Sequence, residues 1–132
     1  MKFLALMFAC ATAIFSQGVS ALAADGDQHE KVVAISDAYV PSGFDSTSDS
    51  FVVLNGWFPN SCFKLEKTEV KHVGPFLHEV TTKALVTEGL CLAVIIPFHK
   101  EVQLGKLATG DHTLHFMNGE GTYLEKHLMI GN

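Results

Sequence analysis

Histidine is the residue type with the most chemistry to offer in this chain. All seven, His29, His72, His78, His99, His112, His115 and His127, lie beyond residue 23. Neutral imidazole is a common ligand for copper and zinc and titrates near physiological pH. Spacing decides whether such rings act together. On a strand, residues two apart share a face, and the chain has no His-x-His pair. His112 and His115, three apart, point to opposite faces of a regular strand. His72 and His78 flank a Gly74-Pro75 break and would meet across a hairpin. His115 and His127 flank an Asn118-Gly119 turn signal and would lie on paired strands. These four are the candidate ligands for a copper or zinc site. The ligand spacings typical of metal sites are missing, so the favoured reading is scattered histidines and no cofactor. A methionine-rich copper site is weaker still, with Met117 and Met129 alone beyond the first 23 residues.

Hydrolytic chemistry finds less support. Beyond residue 23, serines stand at 36, 42, 46, 48, 50 and 61, mostly in one loop, and no Gly-x-Ser-x-Gly elbow occurs. Asp111 and His112 are adjacent, so on a strand they face opposite ways and do not form a catalytic dyad. The carboxylates read as a solvated acidic surface. The expectation is a protein that is not an enzyme.

The N-terminus sets the compartment. Lys2 precedes an apolar run over residues 3–15, and Ala21-Leu22-Ala23 is a small-x-small cleavage site followed by acidic, polar sequence. This is the pattern of a secretory signal peptide over residues 1–23, with a run too short for a spanning helix. One domain over residues 24–132 is expected, in the periplasm or secreted, with no membrane insertion after cleavage. Without Lys2, eight lysines face 14 acidic residues for a net charge of −6, and there is no arginine. Such a chain is a poor partner for nucleic acid, whose binding rests on cationic contacts to phosphate. Cys10 leaves with the signal, so Cys62 and Cys91 have one intramolecular pairing open to them. In an oxidising compartment a disulfide is the default, and it would stabilise a small domain by about 3–4 kcal/mol. No Cys-x-x-Cys spacing suggests a redox pair.

The elements that must position these residues are strands. Residues 24–31 read as a loose lead-in. Residues 32–40, 51–58, 63–73, 76–87, 91–98, 101–107, 111–117 and 122–130 are rich in β-branched and aromatic residues and separated by Gly, Pro, Asn and Ser signals. The run 91–98 is apolar on both faces, as in a central strand. Gly56, inside the second run, marks a bulge or a close backbone approach. No helical periodicity is sustained over three turns. The pattern predicts an all-β, immunoglobulin-like antiparallel β-sandwich of about seven strands with one disulfide.

Two segments carry a resemblance. Asn-Gly-Trp-Phe-Pro-Asn-Ser-Cys ends at Cys62; a second stretch runs from Pro97-Phe98 through Gly110-Asp111-His112-Thr113-Leu114-His115-Phe116-Met117-Asn118-Gly119. Together they resemble a set of uncharacterised exported bacterial immunoglobulin-like domains. Those carry Gly-x-x-Pro-Asn/Asp-x-Cys, a second Cys, Pro-Phe and a Gly-x-Tyr-x-Val-x-Val-Asn-Gly ending. The resemblance implies the sandwich and a Cys62–Cys91 bond, and it carries over no catalytic residue. His112 stands where tyrosine is usual; a tyrosine there would hydrogen-bond back to the preceding corner, and His112 could do a similar job.

Function is then expected at loops and exposed apolar side chains. The loop over residues 41–50, with Phe44 and Asp45, and the Trp57-Phe58 pair are the candidate partner-binding residues. The partner would be an envelope protein or a glycan. A loop-presenting, protease-inhibitor-like domain is a further alternative, although Trp57 fits a core position better than a surface one, since tryptophans are highly buried on average.

Overall fold

A computed structural model describes residues 26–132. The signal-peptide expectation and Cys10 lie outside these residues. The described chain forms eight strands: β1 (Gln28–Val32), β2 (Asp37–Tyr39), β3 (Ser50–Phe58), β4 (Phe63–His72), β5 (Leu77–Thr87), β6 (Ile96–Gly105), β7 (Gly110–Met117) and β8 (Tyr123–Ile130). They make two sheets, one of three strands in the order β2-β3-β6 and one of five strands built around β5. Among the described residues there is no helix.

β5 is the hub. Along one edge it pairs with β4 from His78 to Val86. Along the other it pairs with β1 over Lys83–Thr87 and with β7 over Leu77–Thr81. The β5–β7 pairing is parallel, a departure from the all-antiparallel expectation. It is possible because the chain crosses to the other sheet through β6 between the two strands. β8 completes this sheet beside β7.

Strict alternation explains the core. In β3, Ser50, Val52, Leu54 and Phe58 point inward, as do Val80, Thr82 and Ala84 in β5, Leu114 and Phe116 in β7, and Leu128 and Ile130 in β8. Phe98, Val102 and Leu104 of β6 close the opposite side. Gly56 is a close approach: a Cβ there would run into the Phe98 ring, which stacks on Phe58 with centroids 4.6 Å apart. The buried Ser50 hydroxyl donates to the Gly105 carbonyl (2.6 Å), where the β3–β6 register slips by one residue.

Three sequence expectations need correction. The lead-in is β1, whose register opposite β5 gives its polar residues a partner strand. The first expected strand is interrupted over residues 33–36, where Val33 N–H donates to Thr82 and Ser36 N–H to Asn55, so the chain crosses from one sheet to the other. The run 91–98 is not a central strand. Strand structure starts at Ile96, continues unbroken through the expected gap before Glu101, and pairs with β3 alone. Residues 90–95 are exposed and irregular because their backbone is tied to the β3–β4 turn. Cys91 is bonded to Cys62, the Ser61 N–H donates to the Leu92 carbonyl (3.1 Å), and the Leu92 N–H donates to the Ser61 hydroxyl (2.8 Å).

Candidate functional site

Three histidines meet on the inner face of the five-stranded sheet. His72 of β4 lies directly opposite His78 of β5, and His112 of β7 is on the next strand over. All three occupy inward positions of their strands, at the end where the β4–β5 turn and the β6–β7 corner close the sandwich. His72 Nδ1 is 2.6 Å from His78 Nδ1, and His78 Nε2 is 2.8 Å from His112 Nδ1. His112 Nε2 lies 2.6 Å from the Ala108 carbonyl oxygen. His78 is 2% exposed and His112 0%, while His72 reaches solvent. Phe76, from the turn, lays its ring 4.9 Å from that of His112.

One carbonyl sets every tautomer in this row. A carbonyl oxygen only accepts, so His112 Nε2–H is the donor to Ala108. His112 Nδ1 of the neutral ring must then accept from His78 Nε2–H, and His78 Nδ1 must accept from His72 Nδ1–H. His72 Nε2 is left outside the row with a free lone pair. Burial, followed by the neighbouring His72 and His112, pushes the His78 imidazole down from 6.5 to about 4. At neutral pH this ring is uncharged, which suits a buried site.

The sequence pairing of His72 with His78 therefore describes a real contact, though one with proton-sharing geometry. Two nitrogens bound to one zinc at tetrahedral angles would stand about 3.3 Å apart, wider than this pair. The other expected pair is also brought together, on the outer face of β7 and β8. There His115 Nε2 meets Glu125 Oε2 (3.1 Å) and His127 Nε2 meets Glu125 Oε1 (3.2 Å). His115 stacks on Tyr123, and His127 Nδ1 faces Asp111 at 3.5 Å. Each ring takes its own oxygen. Among the described residues no group of three His, Cys, Asp or Glu is arranged to hold a metal ion. His112, left out of the candidate ligands, is the innermost member of the row; the tyrosine-like corner role is the sequence signal that points to it.

The candidate contact residues separate by burial. Phe58 is 3% exposed and stacks in the core between Phe63 and Phe98, so it is removed from any surface role. Phe44 packs against the core and edge-on to Phe51. Asp45 turns inward on its own loop, accepting hydrogen bonds from Thr47 and Ser48, which hold its carboxyl below the ordinary carboxylate range. The loop is further tied down where the Gly131 N–H donates to the Phe44 carbonyl. Trp57, by contrast, is 55% exposed.

Trp57 is not alone. At the same end of the sandwich Leu90 is fully exposed, and Leu92, Val94 and Ile95 are all largely exposed. Trp57 sits opposite Pro97, two residues beyond Ile95, while Leu92 is bonded to Ser61 just past Trp57. Trp57 also lines an open groove of about 420 Å³ with Lys31, Ile35, Pro59, Phe63 and Asn118. The Asn118 Oδ1 is buried without a hydrogen-bond partner. Sequence reasoning missed this surface because a run of Leu, Ala, Val and Ile reads as buried strand; its signal was the cysteine inside the run.

Glu30 and Glu69 interleave with Lys67 and Lys83 on the outer face of the sheet. The two ammonium groups hold the Glu30 carboxyl down to about 2.

Among family models, that of the ORF11 beta-sandwich domain matches residues 52–125. No curated protein and no solved structure matches the chain.

Proposed function

The chain belongs to the ORF11 β-sandwich domain family, and from that premise we propose that it is an exported, non-enzymatic binding or bracing module of the bacterial cell envelope. Its contact surface is the apolar segment of residues 90–95 together with Trp57, and its partner is an envelope protein with a complementary apolar face. The observation that carries this reading is the placement of Leu90, Leu92, Val94 and Ile95 in solvent on a backbone pinned by the Cys62–Cys91 bond. Large apolar side chains exposed together are uncommon on monomers and mark interaction sites. A pinned segment also loses less freedom on binding than a free loop. A disulfide supports an oxidising compartment.

The loop over residues 41–50 is a weaker candidate, since its own hydrogen bonds and the packing of Phe44 occupy it. No observation favours the protease-inhibitor alternative or the copper and zinc alternative over this reading.

The test is the size of the protein in native envelope extract. The natural chain is expected to migrate in a discrete assembly, and a Leu92→Asp/Ile95→Asp variant as a free monomer. Natural chain and variant both migrating as monomers would overturn the reading.

A further inference from the structure

The histidine row links the β4–β5 turn to the β6–β7 corner through side chains. His72 ends β4, His78 begins β5, His112 begins β7, and the row terminates on the Ala108 carbonyl in the corner before β7. The same end is closed by the Thr113 N–H donating to the Phe76 carbonyl and by the Val73 and Gly74 N–H groups donating to Leu77. Phe76 covers His112 only while this turn stays in place.

The row has room for one added proton. His72 Nε2 is its free lone pair, and protonation there strengthens the bond to His78, because an imidazolium is a better donor than a neutral ring. Every other ring nitrogen in the row already carries or accepts a bridging proton. A second proton must go to His78 or His112, which sets N–H against N–H and breaks a bridge. On His78 it also sets two cations on rings with centroids 4.7 Å apart, one of them buried.

Among the described residues no carboxylate takes an inward position beside the row to offset that charge. On β4, Lys71 alternates to the opposite face; on β5, Glu79 does the same; on β7, Asp111 and His115 do so too. On β8 the residues facing this end are Leu128 and Ile130, while Glu125 and His127 point away. The β4–β5 turn is uncharged, and the β6–β7 corner contributes Lys106, a cation. Where the three-stranded sheet leads into that corner, its buried residues Ser50 and Leu104 are uncharged. Asp45, in the loop that bridges to Gly131, spends its carboxylate on Thr47 and Ser48.

We propose that the His72–His78–His112 row is an acid-released latch, which ties the β4–β5 turn and the β6–β7 corner to the sheet at neutral pH and lets that end open when a second proton enters the row. The opening is local: at the disulfide-pinned end, where the Thr87 N–H donates to Cys62, the nearby histidine is His29, which lies in solvent with the Glu88 carboxylate 3.5 Å away to offset its charge. An envelope protein released into an acidified medium would thus change shape at one end while keeping its apolar contact surface.

Amide hydrogen exchange on the oxidised natural chain tests this, each rate referred to that amide's unstructured value. Between about pH 7 and about pH 4.5, spanning the ordinary histidine range, protection at Gly74 and Thr113 is expected to fall by at least ~10-fold. Protection at Thr87 and Ser36 should change by less than ~2-fold. His78→Gln should abolish the difference between the two ends. Ring-nitrogen NMR provides a readout that needs no variant: at neutral pH, His78 and His112 are the Nε2–H tautomers and His72 is Nδ1–H. Equal loss of protection at both ends, no loss at either, or His78 found as Nδ1–H would overturn the proposal.

Discussion

The Nε2–H of His112 donates to the carbonyl of Ala108, four residues earlier, across 2.6 Å. A fully buried ring therefore fastens the corner that leads into β7, and its other nitrogen is free to start a row through His78 to His72. Truncation removes both bonds and leaves the Ala108 carbonyl and the His78 Nε2–H without partners. His112→Ala should destabilise the domain by about 3–5 kcal/mol, combining a cavity with unsatisfied buried polar groups. His112→Gln, which keeps a donor, should cost less. Denaturant unfolding of the two variants checks the order.

Stability should fall on acidification with a defined sign. The His78 ring titrates near 4 in the folded protein and near 6.5 when free. Between those values the unfolded chain binds more protons, so stability rises with pH across the window. The contribution is complete above about 6.5 and is lost as pH falls toward 4. Thermal melting of the natural chain should show this slope, and the His78→Gln variant should show a flatter one.

Gly56 is held to glycine by its neighbour. A Cβ would meet the Phe98 ring, which is itself locked against Phe58 in the core. Gly56→Ala should destabilise the fold by about 1–3 kcal/mol through overpacking. An unchanged melting temperature would show that Phe98 can move aside.

Reducing the Cys62–Cys91 bond, which closes a sequence separation of 29 residues, should cost about 2–5 kcal/mol. The contact surface should suffer more than the core, since among the described residues the backbone groups of residues 90–95 hydrogen-bond to Ser61 and to one another alone. Exchange protection at Leu92 should collapse in Cys62→Ser before protection at Leu54 does.

How much of this was written in the sequence depends on the range of the interaction. Alternation in β7 and β8 is local, so those strands and their inward faces could be read directly from residue order, as could the extent of β3. The Asn118-Gly119 turn and the Gly74-Pro75 break placed His115 against β8 and His72 against His78. The meeting of His78 with His112 could not be read, because it depends on a parallel pairing between β5 and β7 that skips β6. The segment around Cys91 misled for a related reason. Its composition is that of a buried strand, but the covalent bond to Cys62 fixes where it lies, and composition alone does not locate a tether. Trp57 and Phe58 show the same limit. They are adjacent and both aromatic, and only the phase of β3 decides that one is exposed and the other buried.

Aspartates at Leu92 and Ile95 should leave the fold almost untouched, within about 0.5 kcal/mol, because both side chains are already in solvent. Any loss of assembly in that variant is then a loss of contact and not of structure. Equal melting temperatures for the variant and the natural chain check this.

The reading of this chain as a binding module is tested most directly by a photo-crosslinking residue placed at Leu92 and, as a control, at Lys67 on the far sheet, in living cells that produce the protein. The account predicts one discrete adduct from position 92, absent from position 67 and absent again once Ile95→Asp and Trp57→Ala are added. No adduct at position 92, or the same adducts from both positions, would contradict it.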